Sequence, residues 1–228
     1  MRYAGTALAG LALITFASGA SAAPEKASTP ALLYGSSSAV LLIGSVAGEH
    51  IRIAPLSRRR FQITDSAGIF GRVGVPVGSC KLKSKTAAAC DRKTDLVSVS
   101  GDNGDDRISV ALDFHKTHRL VLNGGNGADL LVDRSGASSI YGGDGPDRLR
   151  GGRGQDYLQG DGGRDSFHAG RGHDRVIAGE TGAFGEPDRV IDCGRGGDKY
   201  SADEQDPKPR RCEHPGATSV PVGGAPGS

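Results

Sequence analysis

The chain has 228 residues, a formal net charge of +2 and a hydrophobic fraction of 36%. A net charge this small favours neither a nucleic-acid-binding protein nor a membrane-surface protein, because both usually carry strong positive charge. Glycine occupies 37 positions and cysteine four. The composition therefore points to a protein in which glycine-containing turns carry much of the structure.

The first 22 residues have the features of a secretory signal sequence. Arg2 provides a short basic region, residues 7–16 an apolar segment, and Ala20, Ser21 and Ala22 a small-residue cleavage site. No other stretch approaches the roughly 18 apolar residues that a membrane span needs. We therefore expect a secreted, extracellular protein without a membrane span, cleaved near Ala22, with a short linker at residues 23–38.

Residues 39–100 predict an N-terminal β region. Apolar or alternating runs at residues 40–43, 50–53, 61–64 and 69–75 are separated by turn residues such as Gly48-Glu49 and Asp65-Ser66. These runs are too short for helices of normal length. We expect β structure that caps the repeats further along the chain, since an open end would expose strand edges.

The cysteines fall into two local pairs in the sequence. Cys80 and Cys90 flank a lysine-rich loop, and Cys193 and Cys212 lie near the end of the repeats. Four cysteines allow three pairings, of which we favour Cys80 with Cys90 and Cys193 with Cys212. No CxxC motif or adjacent histidine cluster indicates redox or zinc chemistry, so the prediction is two structural disulfides.

Residues 124–177 divide without a gap into six blocks of nine residues, or nonads. The fourth position of every nonad is glycine, the eighth is apolar, and the sixth is Asp in five nonads, with Ser138 as the exception. The eighth-position residues are Leu131, Ile140, Leu149, Leu158, Phe167 and Val176.

A nine-residue unit is neither a helix period nor a strand period, and two units make one coil of a parallel β-solenoid. Residues 18 apart should therefore stack, with the eighth-position side chains forming a thin core.

The stacked aspartates predict a cation site. Parallel strands lie about 4.7 to 4.9 Å apart, so Asp129, Asp147 and Asp165 should line one edge and Asp156 and Asp174 the other. A cation midway between two coils would lie about 2.4 Å from each layer, within the roughly 2.3 to 2.6 Å that calcium prefers. Magnesium prefers shorter contacts and zinc prefers His or Cys, so calcium fits best.

The pattern weakens on both sides of the central block. Residues 101–109 repeat it with Asp106 at the sixth position, followed by an insertion, and Asp188 and Asp198 return after residue 177 in a degenerate phase. We expect the β-roll to span residues 101–214. The Pro-, Gly- and Ser-rich residues 215–228 predict a disordered tail.

The motif GGxGxDxUx resembles the hemolysin-type (RTX) calcium-binding repeat, which residues 151–159 match at every position. The resemblance implies an all-β fold, a parallel β-roll or β-solenoid of nine-residue repeats with an N-terminal β capping region. It implies Ca²⁺ bound by Asp106, Asp129, Asp147, Asp156, Asp165, Asp174, Asp188 and Asp198. The supporting turn glycines would be Gly124, Gly127, Gly142, Gly145, Gly151, Gly154, Gly160, Gly163 and Gly172.

The expected function is that of a secreted calcium-binding protein without enzymatic activity. Calcium would order the roll for a structural, adhesive or surface-binding role, with a cell-surface polysaccharide or protein as the candidate partner. One alternative is a secreted polysaccharide-active β-helix hydrolase or its accessory binding module, although the outward positions seven and nine of the central repeats carry no acid. A second alternative is a β-roll whose Asp-Gly turns need no metal.

Overall fold

A computed structural model describes residues 31–35, 39–44, 48–70, 76–77, 80–91, 95–112, 119–134, 136–179 and 186–215. The predicted signal sequence lies outside the described residues, as do most of the predicted linker and residues 216–228 of the predicted tail. None of the described residues belongs to a helix long and apolar enough to cross a membrane.

The described residues form twenty strands in two ten-stranded sheets that enclose one apolar core. In order across the first sheet, the strands are β5 (Ile69–Phe70), β1 (Ala31–Gly35), β2 (Ala39–Ile43), β9 (Leu96–Asn103), β11 (Arg119–Asn126), β13 (Ser138–Asp144), β15 (Tyr157–Gly162), β17 (Arg175–Ile177), β19 (Lys199–Ser201) and β20 (His214–Pro215). Across the second sheet they are β6 (Pro76–Val77), β7 (Cys80–Ser84), β8 (Ala87–Asp91), β4 (Arg60–Asp65), β3 (His50–Ser57), β10 (Arg107–Val110), β12 (Leu130–Asp133), β14 (Arg148–Arg150), β16 (Ser166–Arg171) and β18 (Val190–Arg195).

From β9 to β19 the chain alternates between the two sheets and every neighbouring pair is parallel. Leu122 pairs with Ile140, and Ile140 pairs with Leu158. Two nonads therefore make one coil, as the sequence predicts. All six eighth-position side chains of the central block are fully buried. Burial of one such aliphatic side chain stabilises the fold by roughly 1.5 to 3 kcal/mol.

The parallel stack begins earlier than the predicted start at residue 101. β2 pairs in parallel with β9, and β3 pairs in parallel with β10, so β2 and β3 belong to a further coil of the stack. The chain then changes direction: β3, β4, β8 and β7 pair antiparallel, and β6 continues that order. The predicted N-terminal β cap is therefore one parallel coil followed by an antiparallel extension of the second sheet.

Two further boundaries differ from the sequence prediction. Ala31–Gly35, inside the predicted linker, is β1, and it pairs antiparallel with β2. Pairing with the apolar Ala39–Ile43 satisfies the backbone of this segment, which the surrounding Pro- and Ser-containing sequence does not reveal. At the other end of the chain, β20 extends to Pro215, the first residue of the predicted tail, because it pairs with β19.

Both predicted disulfides are present. Cys80–Cys90 links the antiparallel neighbours β7 and β8, and Cys193–Cys212 ties β18 to the segment before β20. Disulfides of this kind fit an oxidising, extracytoplasmic compartment.

Candidate metal-binding turns

The turns between the sheets lie on two edges of the roll. Turns that lead from the first sheet to the second follow β2, β9, β11, β13, β15 and β17, and we call their side the first edge. Turns that lead back follow β12, β14, β16 and β18, and they form the second edge. The sixth-position aspartates of residues 124–177 lie immediately before the next strand, at the end of the turn.

A ladder of hydrogen bonds joins the acids of the first edge. Oδ1 of Asp129 accepts from the backbone amide of Asp106 at 2.7 Å, and Oδ1 of Asp147 accepts from the amide of Asp129 at 2.8 Å. The same contact continues in both directions and connects Glu49, Asp106, Asp129, Asp147, Asp165, Asp188 and Asp206. Each coil thus contributes one buried or partly buried acid to a single stack.

The second edge carries a shorter ladder of the same kind. The amide of Asp156 donates to Oδ1 of Asp174 at 2.9 Å, and the amide of Asp174 donates to Oδ1 of Asp198 at 2.8 Å. Ser138 begins the ladder, because its amide donates to Oδ1 of Asp156 at 2.8 Å. The structure therefore separates the predicted site residues into the two predicted stacks.

The second carboxyl oxygen, Oδ2, is buried in several ladder aspartates without a hydrogen-bond partner among the described residues: Asp106, Asp129, Asp147, Asp174 and Asp198. Each of these side chains is at most 2% exposed. A buried polar atom without a partner costs roughly 1 to 3 kcal/mol, and more if it is charged. Each of these oxygens therefore needs a partner that the described protein groups do not supply.

Where the first position of a nonad is glycine, it makes room for this oxygen. A Cβ atom added to Gly124 would lie 2.1 Å from Oδ2 of Asp129 and 2.5 Å from the carbonyl oxygen of Gly142 in the next coil. A Cβ atom added to Gly101, Gly142 or Gly151 would likewise clash with an aspartate Oδ2 atom of the same turn and with a backbone carbonyl oxygen of the next coil. An unpaired carboxyl oxygen such as that of Asp129 therefore lies near a backbone carbonyl oxygen of the next coil.

Two nonads replace the second glycine by aspartate. Asp102 and Asp161 have φ angles of 77° and 67°, in the left-handed region where glycine normally stands. Asp tolerates this region better than most residues because its short polar side chain bonds locally. The substitution therefore preserves the turn, and the nonad pattern survives at these positions.

Burial raises the pKa values of the ladder carboxyls. The pKa of Asp147 rises to about 8, and those of Asp106 and Asp174 rise to about 7. Loss of solvation is the largest cause, the hydrogen bond from a backbone amide opposes it, and the neighbouring carboxylates raise the pKa further. The pKa values of Asp129 and Asp156 are also raised, mainly by burial.

The donor atoms in the turns decide which metal they suit. Within the described ranges, no group of three or more His, Cys, Asp or Glu side chains is arranged to hold a metal ion. A cation between two coils would therefore need backbone carbonyl oxygens in addition to the carboxylates. Oxygen-only ligation with several carbonyls suits calcium better than zinc, so the residues present fit the predicted Ca²⁺.

Sequence reasoning missed both ends of the first-edge ladder. Glu49 is fully buried, and its amide donates to Oδ1 of Asp106 at 2.6 Å. Its signal was a degenerate nonad, with Gly44 at the first position, Glu49 at the sixth and Ile51 at the eighth. At the other end, Asp206 lies 18 residues after Asp188 and accepts from its amide at 2.9 Å.

Two stacked sheets, nine-residue repeats and laddered acids define an all-β protein with a parallel β-roll and an antiparallel extension. The family model described as RTX calcium-binding nonapeptide repeat (4 copies) matches twice, at residues 123–158 and 141–176. The chain therefore carries hemolysin-type (RTX) calcium-binding repeats, a class of repeat that binds calcium. No match was found among curated proteins or among solved structures.

Proposed function

We propose that the chain is a secreted, non-catalytic calcium-binding module in which Ca²⁺ orders the β-roll. The observation that carries the proposal is the buried, unpaired Oδ2 atom of the ladder aspartates, exemplified by Asp129 and Asp147 within the described part of the chain. A divalent cation would supply these oxygens with a partner and offset the repulsion between stacked carboxylates. The candidate ligands are the sequence-predicted aspartates together with turn carbonyl oxygens, and Glu49 extends the set beyond the matched repeats.

The proposed role is structural, adhesive or surface-binding. Calcium-binding extracellular modules typically have dissociation constants of about 10⁻⁴ to 10⁻³ M, so such a module would be loaded after export and empty inside the cell. Because the ligands come from different coils, binding would favour the stacked roll over the separated coils. Calcium would thus act as the signal to fold in the compartment where the module works.

Isothermal titration of the mature chain tests the proposal. We expect uptake of several calcium ions by the wild type, with magnesium giving a far smaller response. Asp147→Asn should reduce the number of bound ions, whereas Asp95→Asn, which changes an exposed aspartate outside the ladders, should leave it unchanged. Absence of calcium uptake by the wild type, or equal uptake by the two variants, would refute the proposed sites.

A further inference from the structure

Three arginines form a ladder on the outside of the second edge. Arg153, Arg171 and Arg195 each occupy the third position of a nonad. Arg153 pairs with Arg171, and Arg171 pairs with Arg195, in parallel register. Their Cα atoms therefore follow one another at the inter-strand spacing of about 4.8 Å. We call these three residues the arginine ladder.

A groove of about 470 Å³ runs beside the arginine ladder. Its other lining residues are His168, Asp192, Arg211 and the second-position glycines Gly152, Gly170 and Gly194. The glycines contribute no side chains, so the groove stays open between the guanidinium groups and the strands of the second sheet. Gly170 and Gly194 have φ angles of 118° and 96°, which favours glycine at both positions.

The positive charge of the arginine ladder is not compensated within the part of the chain that the structure describes. Asp192, the acid in the groove, is already held by Arg211: the Nε of Arg211 donates to Oδ1 at 2.8 Å, and its Nη2 donates to Oδ2. The side chains of the arginine ladder are exposed and make no ion pair or hydrogen bond with other described residues. Three like charges thus face the solvent in one line.

The neighbourhood of the groove is positive as well. The pKa of His168 lies below its usual value, first because the ring is partly desolvated and then because Arg150 is close. Asp192 opposes this effect, and Arg211 adds to it. Arg150 and Arg211 thus add positive charge beside the arginine ladder, against the carboxylate of Asp192.

The turn itself does not require arginine at the third position. The corresponding residues of the first edge are Asn103, Asn126, Asp144 and Gly162. Asn126 donates to Asn103 at 2.6 Å, so a neutral ladder serves the same turn geometry. Stacked arginines repel one another and also oppose cation binding in the adjacent turns, so their presence on one edge alone needs a different explanation.

We propose that the arginine ladder and its groove bind an anionic polysaccharide. A guanidinium group presents a planar fork of donors that matches carboxylate and sulfate oxygens, and three forks in line suit acidic groups repeated along an extended chain. A single-stranded nucleic acid is the less suitable polyanion, because no Phe, Tyr or Trp lines the described groove to stack on bases. The inference rests on the proposed surface-binding role and deepens it by naming the class of partner.

Binding of fluorescent dextran sulfate, with neutral dextran as the uncharged control, tests the inference. The measurement uses the mature chain in millimolar calcium at near-physiological ionic strength. We expect binding of dextran sulfate and none of dextran. Replacing all three ladder arginines by glutamine should weaken binding by about tenfold or more, because each exposed ion pair contributes modestly and the effects combine.

A matched variant removes the same charge elsewhere. Arg107, Arg164 and Arg175 lie outside the groove, so their joint replacement by glutamine should leave affinity within about twofold of the wild type. Equal losses in both triple variants would mean that only net charge matters, and would overturn the site. Tighter binding of a single-stranded oligonucleotide than of dextran sulfate would overturn the ligand class. Calcium uptake, measured separately on the same variants, distinguishes failure of this groove from failure of the calcium sites.

Discussion

Ser138 donates two hydrogen bonds to the same oxygen of Asp156, from its amide at 2.8 Å and from its hydroxyl at 2.9 Å. The other oxygen of Asp156 accepts from the amide of Gly152 at 2.8 Å. Asp156 is therefore satisfied by protein donors, unlike Asp147 or Asp174, whose Oδ2 atoms have none among the described residues. The second-edge ladder therefore ends at Ser138, and the carboxylate next to it needs no cation because protein donors bind both of its oxygens.

Restoring the repeat at Ser138 should require two changes. The first position of this nonad is Asp133, which is 1% exposed. Most other nonads have a glycine there, next to the carboxyl group of the sixth-position aspartate. Ala169 shows that a methyl group is tolerated at that position, but Ser138→Asp alone would set a second carboxylate beside Asp133. We predict that Ser138→Asp lowers stability in chelator by about 1 to 3 kcal/mol. The double variant with Asp133→Gly should gain one calcium ion by isothermal titration. A gain of one ion from Ser138→Asp alone would show that Asp133 does not crowd the site.

Position in a ladder should determine how many sites a substitution damages. Asp129 and Asp147 each have an acid on both sides, whereas Asp198 is hydrogen-bonded within the ladder to Asp174 alone among the described residues. Asp129→Asn and Asp147→Asn should each weaken two sites, and Asp198→Asn one. With calcium about tenfold above its dissociation constant, each lost site lowers the free energy of unfolding by about 1.4 kcal/mol. Denaturant unfolding in calcium measures the difference, and a larger loss for Asp198→Asn than for Asp147→Asn would contradict it.

The pH dependence of stability should change sign with calcium. The raised pKa values of Asp106, Asp147 and Asp174, about 7, 8 and 7, exceed the unfolded value of about 3.9. Between about pH 4 and pH 8, the metal-free folded chain therefore binds more protons than the unfolded chain. Its free energy of unfolding should fall as the pH rises through this range. In calcium the deprotonated carboxylates bind the ion, so stability should rise over the same range. Thermal unfolding across pH in chelator and in calcium checks this, and parallel curves would contradict it.

The Cys193–Cys212 disulfide should stabilise the C-terminal coil independently of metal. On a chain-entropy estimate, closing a loop of this length contributes roughly 3 kcal/mol. The double variant Cys193→Ser, Cys212→Ser should lose about that much stability, with the same loss in chelator and in calcium. Chemical unfolding provides the measurement. A loss seen only in calcium would mean that the disulfide acts by positioning the Asp198 turn.

The nine-residue period was sufficient to predict the central roll. Glycine at the fourth position, an apolar eighth position and Asp at the sixth determined the 18-residue stacking, as the pairing of Leu122 with Ile140 and of Ile140 with Leu158 confirms. Local spacing was also sufficient for both disulfides. These features were predictable because each is encoded by residues close together in the chain.

The cap was harder to predict because its pairing is not local. Glu49 stacks on Asp106 across 57 residues of sequence, and strands β4 to β8 lie between them in the chain. In the nonad that begins at Gly44, only Gly44, Glu49 and Ile51 indicate that it forms part of a coil. The sequence indicates a turn at Asp65, and in the structure this residue is only 2% exposed. Burial, together with the nearby Glu49, raises its pKa to about 7. Tertiary placement, rather than residue type, brings it to the ladder.

Hydrogen exchange of the mature chain in chelator and in calcium tests the central claim most directly. The amides of Asp129, Asp147 and Asp174 donate to ladder carboxylates in the next coil, so their protection reports on stacking of the coils. We predict that peptides from residues 124–177 gain strong protection when calcium is added. The disulfide-linked hairpin of β7 and β8 should change little, since its pairing does not involve the turns. Equal exchange of residues 124–177 in chelator and in calcium would contradict the account.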